Sequence, residues 1–287
     1  MLYATIDYSG KKSLWSRYVE EEVLGEVKIS IPHIKESHQR GEAKKILKKL
    51  KKYKVDNLVL HDELNQFEEF RYFLTENQKQ IINGSRMSKA LLPLILSELA
   101  NLTKYPEEKM RVLLLMNEYS IENIDLIECL SQNIKQLTVV SHNYTKYQKT
   151  SHRLLEEYGY VVKLYGKDFT EAKKENIIIN LDFSEEEIKR LSFNRFGIII
   201  SFNEEIAKVK KWFNGVIIRD VDIMGEGIPK TGFHKLSICE ARLYRPFRKL
   251  QENKKVFEAE NYKINGFIGK NGKITEEEFE NIAKNFT

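Results

Sequence analysis

Cysteine is nearly absent from this sequence. Cys129 and Cys239 are the only two, far apart and outside any C-x-x-C pattern, which excludes a disulfide framework and a zinc ribbon and fits a reducing compartment. A strong charge of one sign is also missing. The 47 basic and 42 acidic residues leave +5, well short of the clustered basic stripe of a dedicated nucleic-acid binder, so nucleic acid is not an expected partner. No apolar run is long enough for a membrane span, because the richest stretch, residues 90–102, contains Pro93, Ser97 and Glu98. The amino terminus has no basic region leading into an apolar core. With neither export signal nor span, and with the Lys, Ile and Asn usage of an AT-rich bacterial genome, the expected location is the bacterial cytoplasm.

What the sequence does have is a rhythm. Short continuous apolar runs recur at Val112-Leu113-Leu114-Leu115, Leu137-Thr138-Val139-Val140, Tyr160-Val161-Val162, Ile177-Ile178-Ile179, Ile198-Ile199-Ile200 and Val216-Ile217-Ile218. Each is too short for a helix and reads as a strand buried on both faces. Between them lie helical spacings, such as Ile121, Ile124, Ile127 and Leu130, or Tyr147, Leu154 and Leu155 closed by Gly159. Right-handed crossovers would wind this order into one parallel sheet, an α/β doubly wound, Rossmann-like domain. The glycines that such a domain usually carries after its first strand are lacking, and Asn117-Glu118-Tyr119-Ser120 stand there instead.

The first eighty or so residues predict a separate small α/β layer, with strands over 2–8, 23–31 and 55–60 and helices over 42–53 and 67–79. Ala43, Ile46, Leu47, Leu50 and Tyr53 form one helical stripe, and the lysines between them a solvated face. His61-Asp62-Glu63 follow a strand end, where α/β sheets usually place their sites. His61 and Asp62 are therefore the candidate acid-base residues, with Asp62 also placed to cap the next helix. His33 and His38 are five apart, which does not suit one helical face. The expected divisions are an α/β domain over 1–85, a linking helix over 86–110, the Rossmann-like domain over 111–235 and a helical and hairpin segment over 236–287.

This layout, with its Asn83-Gly84 turn and its strand series from residue 111, resembles that of shikimate dehydrogenases and their relatives, including glutamyl-tRNA reductases. The resemblance implies a two-domain architecture and NAD or NADP as cofactor. The chain departs from it at residues 117–120, where Glu118 and Tyr119 set bulk and charge against a diphosphate. It departs again after Leu137-Thr138-Val139-Val140-Ser141, where His142-Asn143 replaces an Asn-Arg pair, and at Ile177-Ile178-Ile179-Asn180-Leu181-Asp182-Phe183, where Asp182 and Phe183 replace small residues. Neither NAD nor NADP is specified by these residues. The family's catalytic Lys and Asp have no counterpart, because its Asn-Val-Thr-x-Pro-x-Lys segment is absent.

Three further patterns lie toward the carboxyl end. Gly225-Glu226-Gly227-Ile228-Pro229-Lys230-Thr231-Gly232 lacks the glycine before Lys-Thr that a phosphate loop needs and reads as a lid or connector. Arg242, Arg245 and Arg248, interleaved with Tyr244 and Phe247, read as ion-pairing arginines near Glu240. Residues 267–278 mimic a calcium loop without its first carboxylates and read as an Asn-Gly turn followed by a helix capped by Thr275 and Glu278. No metal is expected.

The reading that follows is a protein binding a small molecule or nucleotide without hydride transfer. Its ligand would lie near Asn117, Glu118, Ser120, Ser141, His142, Asn143, Asn180, Asp182, Ser201 and Asn203. The alternatives are an NAD(P)-dependent oxidoreductase with an atypical cofactor turn and a non-enzymatic assembly protein. Whether catalysis is retained stays open, and a homodimer is compatible because related folds often dimerise.

Overall fold

The computed structural model describes residues 3–10, 18–23, 26–202, 213–229, 231–243 and 262–286. The chain divides into two compact units, the first made of Met1–Met87 with Glu226–Pro246 and the second of Ser88–Gly225 with Phe247–Thr287.

Unit 1 is built on β1 (Tyr3–Tyr8), β2 (Val19–Val23), β3 (Glu26–Ile31), α1 (Gln39–Tyr53), β4 (Asn57–Leu60), α2 (Glu68–Glu76) and β5 (Gln80–Ile81). The sheet order is β2-β3-β1-β4-β5. Only β2 runs antiparallel to its neighbour. The strand expected over 23–31 is β3, beginning at Glu26, and a second strand, β2, lies before it, because the polar run Glu20-Glu21-Glu22 pairs back on β3 as a hairpin. Period-2 alternation sorts the sheet faces. Ala4, Ile6 and Tyr8 with Val27, Ile29 and Ile31 face a core completed by Ala43, Ile46, Leu47 and Leu50 of α1 and by Phe70 and Leu74 of α2. Each buried Val, Ile or Leu side chain among them contributes about 1.5–3 kcal/mol. The lysine face of α1 is partly tied down, since Lys49 pairs with Glu20 and Lys45 lies 2.8 Å from Glu42.

The other face of the same sheet is covered on one side only. There Tyr3, Val59 and Ile82 pack with Ile238 and Ala241 of α7 (Lys235–Arg242), a helix contributed from far along the chain. Buried Glu240 of α7 accepts the backbone N–H groups of Arg86 and Met87 at 3.0 and 3.1 Å, supplying an acceptor to the first turn of α3 (Ser85–Thr103).

Unit 2 carries β6 (Arg111–Leu115), α4 (Ile121–Asn133), β7 (Gln136–Val140), α5 (Tyr144–Tyr158) and β8 (Val162–Tyr165). After the short β9 (Glu171–Ala172) come β10 (Ile177–Asn180), α6 (Glu185–Lys189), the short β11 (Ser192–Phe193), β12 (Ile198–Ser201) and β13 (Val216–Ile218). Six strands form one parallel sheet in the order β13-β12-β10-β6-β7-β8. Counted from β6, this is the 3-2-1-4-5-6 order of a Rossmann-like doubly wound sheet, read from its far edge. The central strands β10 and β12 are buried throughout and β6 from Val112 onward, which explains their continuous apolar runs. α5 ends on Gly159 with φ 71°, a left-handed cap suited to glycine. The third run lies later than expected, because Val161 is 57 % exposed and pairing begins at Val162.

Beyond this sheet, β14 (Asp220–Met224), β15 (Lys263–Gly269) and β16 (Gly272–Lys273) form an antiparallel ribbon. It packs on α8 (Glu276–Ala283) through Phe267 and Phe279. The turn between β15 and β16 is Lys270-Asn271, one residue before the expected Asn-Gly pair, with Gly272 already paired in the ladder. Thr275 and Glu278 form the capping box. Arg245, Arg248, Tyr244, Phe247, Lys230 and Asn203 lie outside the described residues.

Candidate functional sites

In unit 2 the strand order reverses between β6 and β10, which makes their carboxyl ends the place where a doubly wound sheet ordinarily holds a ligand. The residues following β6, β7 and β10 converge there. Asp182, after β10, accepts the backbone N–H of Asn117 at 2.5 Å and of Glu118 at 2.8 Å. These are the strand-to-helix amides that a diphosphate would otherwise occupy. The neighbouring carbonyls are engaged as well. Asn143 Nδ2 donates to the Asn117 carbonyl at 2.7 Å, and the Glu118 carbonyl accepts from Asn123 Nδ2 at 2.7 Å and from the Tyr147 hydroxyl at 2.6 Å. Ser120 caps α4 by accepting the Asn123 N–H at 3.2 Å.

A second layer fixes the Asn117 side chain. Its Nδ2 donates to Glu187 at 3.0 Å, its Oδ1 accepts the His142 N–H at 3.3 Å, and His142 Nε2 lies 2.9 Å from the same Glu187 oxygen. Burial alone would raise the Glu187 carboxyl. The N–H and hydroxyl of Ser184, the Asn117 amide and His142 outweigh that effect and hold it below its ordinary value. Burial pushes the Tyr147 phenol up to about 12, against a lowering hydrogen bond from Asn123, so the hydroxyl remains a donor.

The other expected site residues of this edge are structural in their contacts. Ser141 is fully buried, and its Oγ accepts the Asn143 N–H at 3.0 Å. Asn180 closes a tight turn, accepting the Phe183 N–H at 2.9 Å and donating to the Phe183 carbonyl at 3.2 Å. Its Nδ2 also lies 3.4 Å from Ser201 Oγ. Asn180 and Ser201 are 2 % and 1 % exposed. A dinucleotide entering here would have to displace a carboxylate holding two charge-assisted bonds, each contributing about 1.5–3 kcal/mol.

Unit 1 has a cavity of about 320 Å3 on the less covered face of its sheet. The strand registers set Thr5 of β1 beside Lys28 of β3, and Lys28 beside Glu21 of β2. Asp7 and Ser30 pair in the next row, and all five residues line the cavity together with Glu26. α7 and the segment before it supply the opposite wall through Gly227, Pro229, Phe233, Ile238 and Arg242. Glu26 is committed to the protein, accepting from Thr5 Oγ1 at 2.8 Å and from the Tyr3 hydroxyl at 3.1 Å, with Arg242 Nη2 3.8 Å away. Arg242 Nη1 donates to the Glu226 carbonyl at 3.1 Å. Gly227 sits at φ 71°, and a Cβ there would collide with the guanidinium.

His61 adjoins this region. Its Nε2 lies 3.8 Å from Asp7, and its ring packs edge-on against Phe233. His61 itself, rather than Asp62, caps the short helix Asp62–Gln66: its Nδ1 accepts the Glu63 N–H at 3.3 Å. That bond assigns the neutral ring's proton to Nε2, toward Asp7. Asp62 is exposed, and its N–H donates to the Gly232 carbonyl at 2.9 Å. Asp7, Glu21, Glu26 and Lys28 escape the sequence reading. Their signal is the strict alternation in Ala4-Thr5-Ile6-Asp7-Tyr8 and Glu26-Val27-Lys28-Ile29-Ser30-Ile31, which marks a sheet with one polar face. Among the described residues no group of three or more His, Cys, Asp or Glu side chains could hold a metal ion. Nor is any helix among them long and apolar enough to cross a membrane. Cys129 and Cys239 form no disulfide.

No protein-family model and no curated protein matches the chain. Solved structures similar to it include quinate dehydrogenase from Corynebacterium glutamicum in complex with NAD, at 7 % identity and a TM-score of 0.34, covering 90 % of this chain and 99 % of that one. A chorismate mutase/shikimate 5-dehydrogenase fusion protein from Clostridium acetobutylicum matches at 11 % identity and a TM-score of 0.28, covering 99 % and 96 %. L-tryptophan dehydrogenase from Nostoc punctiforme matches at 13 % and 0.30, covering 61 % of this chain and half the length of that one. The Rossmann-like assignment rests on the strand order of unit 2.

Proposed function

We propose that this chain binds a small charged metabolite without hydride transfer, its Rossmann-like sheet serving as scaffold. The observation that carries this reading is the Asp182 carboxylate seated on the Asn117 and Glu118 amides. An intramolecular anion competes at an effective concentration of about millimolar or far above, so a free diphosphate meets a turn already satisfied. The unit 1 cavity gives the molecule a place for a ligand much smaller than a dinucleotide, at the low end of the roughly 300–1,000 Å3 typical of small-molecule sites. Two cysteines outside any disulfide suit a reducing interior.

Thermal melting with NAD, NADP and their reduced forms tests the reading. A ligand at about a hundred times its dissociation constant adds roughly 2.7 kcal/mol, so the expected result with the dinucleotides is an unchanged transition. Stabilisation by either dinucleotide would remove the reading and restore the oxidoreductase.

A further inference from the structure

We propose that the cavity on the polar face of the unit 1 sheet binds a zwitterionic amino acid with a short apolar side chain. Its carboxylate is taken by Lys28 and its ammonium by Asp7. The proposal rests on the reading of the chain as a small-molecule binder and names the ligand class.

Charge selects that class. Glu26 and Arg242 lie 3.8 Å apart and largely balance one another, and each Glu26 oxygen accepts a further bond, from Tyr3 and Thr5. Lys28 adds a cation, and Asp7 and Glu21 add two carboxylates, all lining one cavity. A phosphate would face the carboxylates, and a simple amine would face Lys28. A molecule with both charges on one carbon meets each sign with its opposite. Position agrees with this. Lys28 stands in the row of Thr5, and Asp7 lies two residues further along β1, about 7 Å on. Glu21 shares the Lys28 row, so a ligand lying along β1 meets Lys28 with its carboxylate and Asp7, one row on, with its ammonium. Phe233 and Ile238 give it an apolar wall, and 320 Å3 limits its side chain.

Isothermal titration calorimetry on the full chain tests this with L-leucine and L-valine. N-acetyl-L-leucine, isoamylamine and inorganic phosphate are the comparisons, lacking the ammonium, the carboxylate and the zwitterion in turn. The amino acids are expected to bind and the comparisons to be silent. Lys28→Met, at an exposed position, and Asp7→Asn should each weaken binding by about tenfold or more with unchanged circular dichroism. Silence of both amino acids, or binding indifferent to both substitutions, overturns the proposal. If the amino acids are silent while another small metabolite raises the melting temperature, the ligand class fails and the function stands. Protection by NAD or NADP removes the function itself, and silence of every probe removes both.

Discussion

Asp182 shows how one side chain can change what a turn does. It is half-buried and holds two backbone N–H groups, so Asp182→Asn, which replaces the anionic acceptor by a neutral amide, should cost about 1–2 kcal/mol, read from urea unfolding. Glu187 gives a pH test with a definite sign. Its folded value is depressed below 4.5, so its contribution is present above 4.5 and is lost as pH falls through the lower folded value. Thermal melts should show the wild type losing more stability than Glu187→Gln on acidification through that range, and parallel curves would refute the assignment. Burial pushes the Cys239 thiol up to about 12, so iodoacetamide at neutral pH should leave Cys239 unlabelled in the folded chain. At this scale the sequence showed that Asn117-Glu118-Tyr119-Ser120 is no glycine turn. It could not show that Asp182, 65 residues from Asn117, would fill it, because only the sheet brings the two together.

At the scale of elements, the six apolar runs of unit 2 were readable because strands buried on both faces need no tertiary information to betray themselves. The hairpin of β2 and β3 was not, since Glu20-Glu21-Glu22 look like loop until a partner strand is known. The segment reaching α7 is held by glycine as much as by side chains. Gly232 has φ 87°, and a Cβ there would stand 2.5 Å from His61 Nε2. Gly232→Ala should therefore destabilise the chain by about 1–3 kcal/mol, measured by differential scanning calorimetry. Gly159→Ala, whose Cβ would meet nothing within 4 Å, should cost less despite its similar φ.

At the scale of the whole molecule, neither unit is a continuous stretch of chain, because unit 1 takes back residues 226–246 after unit 2 has begun. Nothing local in the sequence announces that return. The Gly225 to Gly232 run reads as a connector, and the destination of α7 is set by the apolar patch of Tyr3, Val59 and Ile82 that it covers on the otherwise polar sheet face. A fragment ending at residue 87 should accordingly bind the dye ANS and melt without a sharp transition, whereas the full chain should not. The same route has a consequence for biosynthesis. A ribosome emitting this chain finishes β5 roughly 150 residues before it reaches Lys235, which at about 5–20 residues per second is a delay of roughly 7–30 s. Throughout that interval the nascent amino-terminal sheet waits with one face bare, and chaperone occupancy of the emerging polypeptide should peak there and end when α7 clears the exit tunnel.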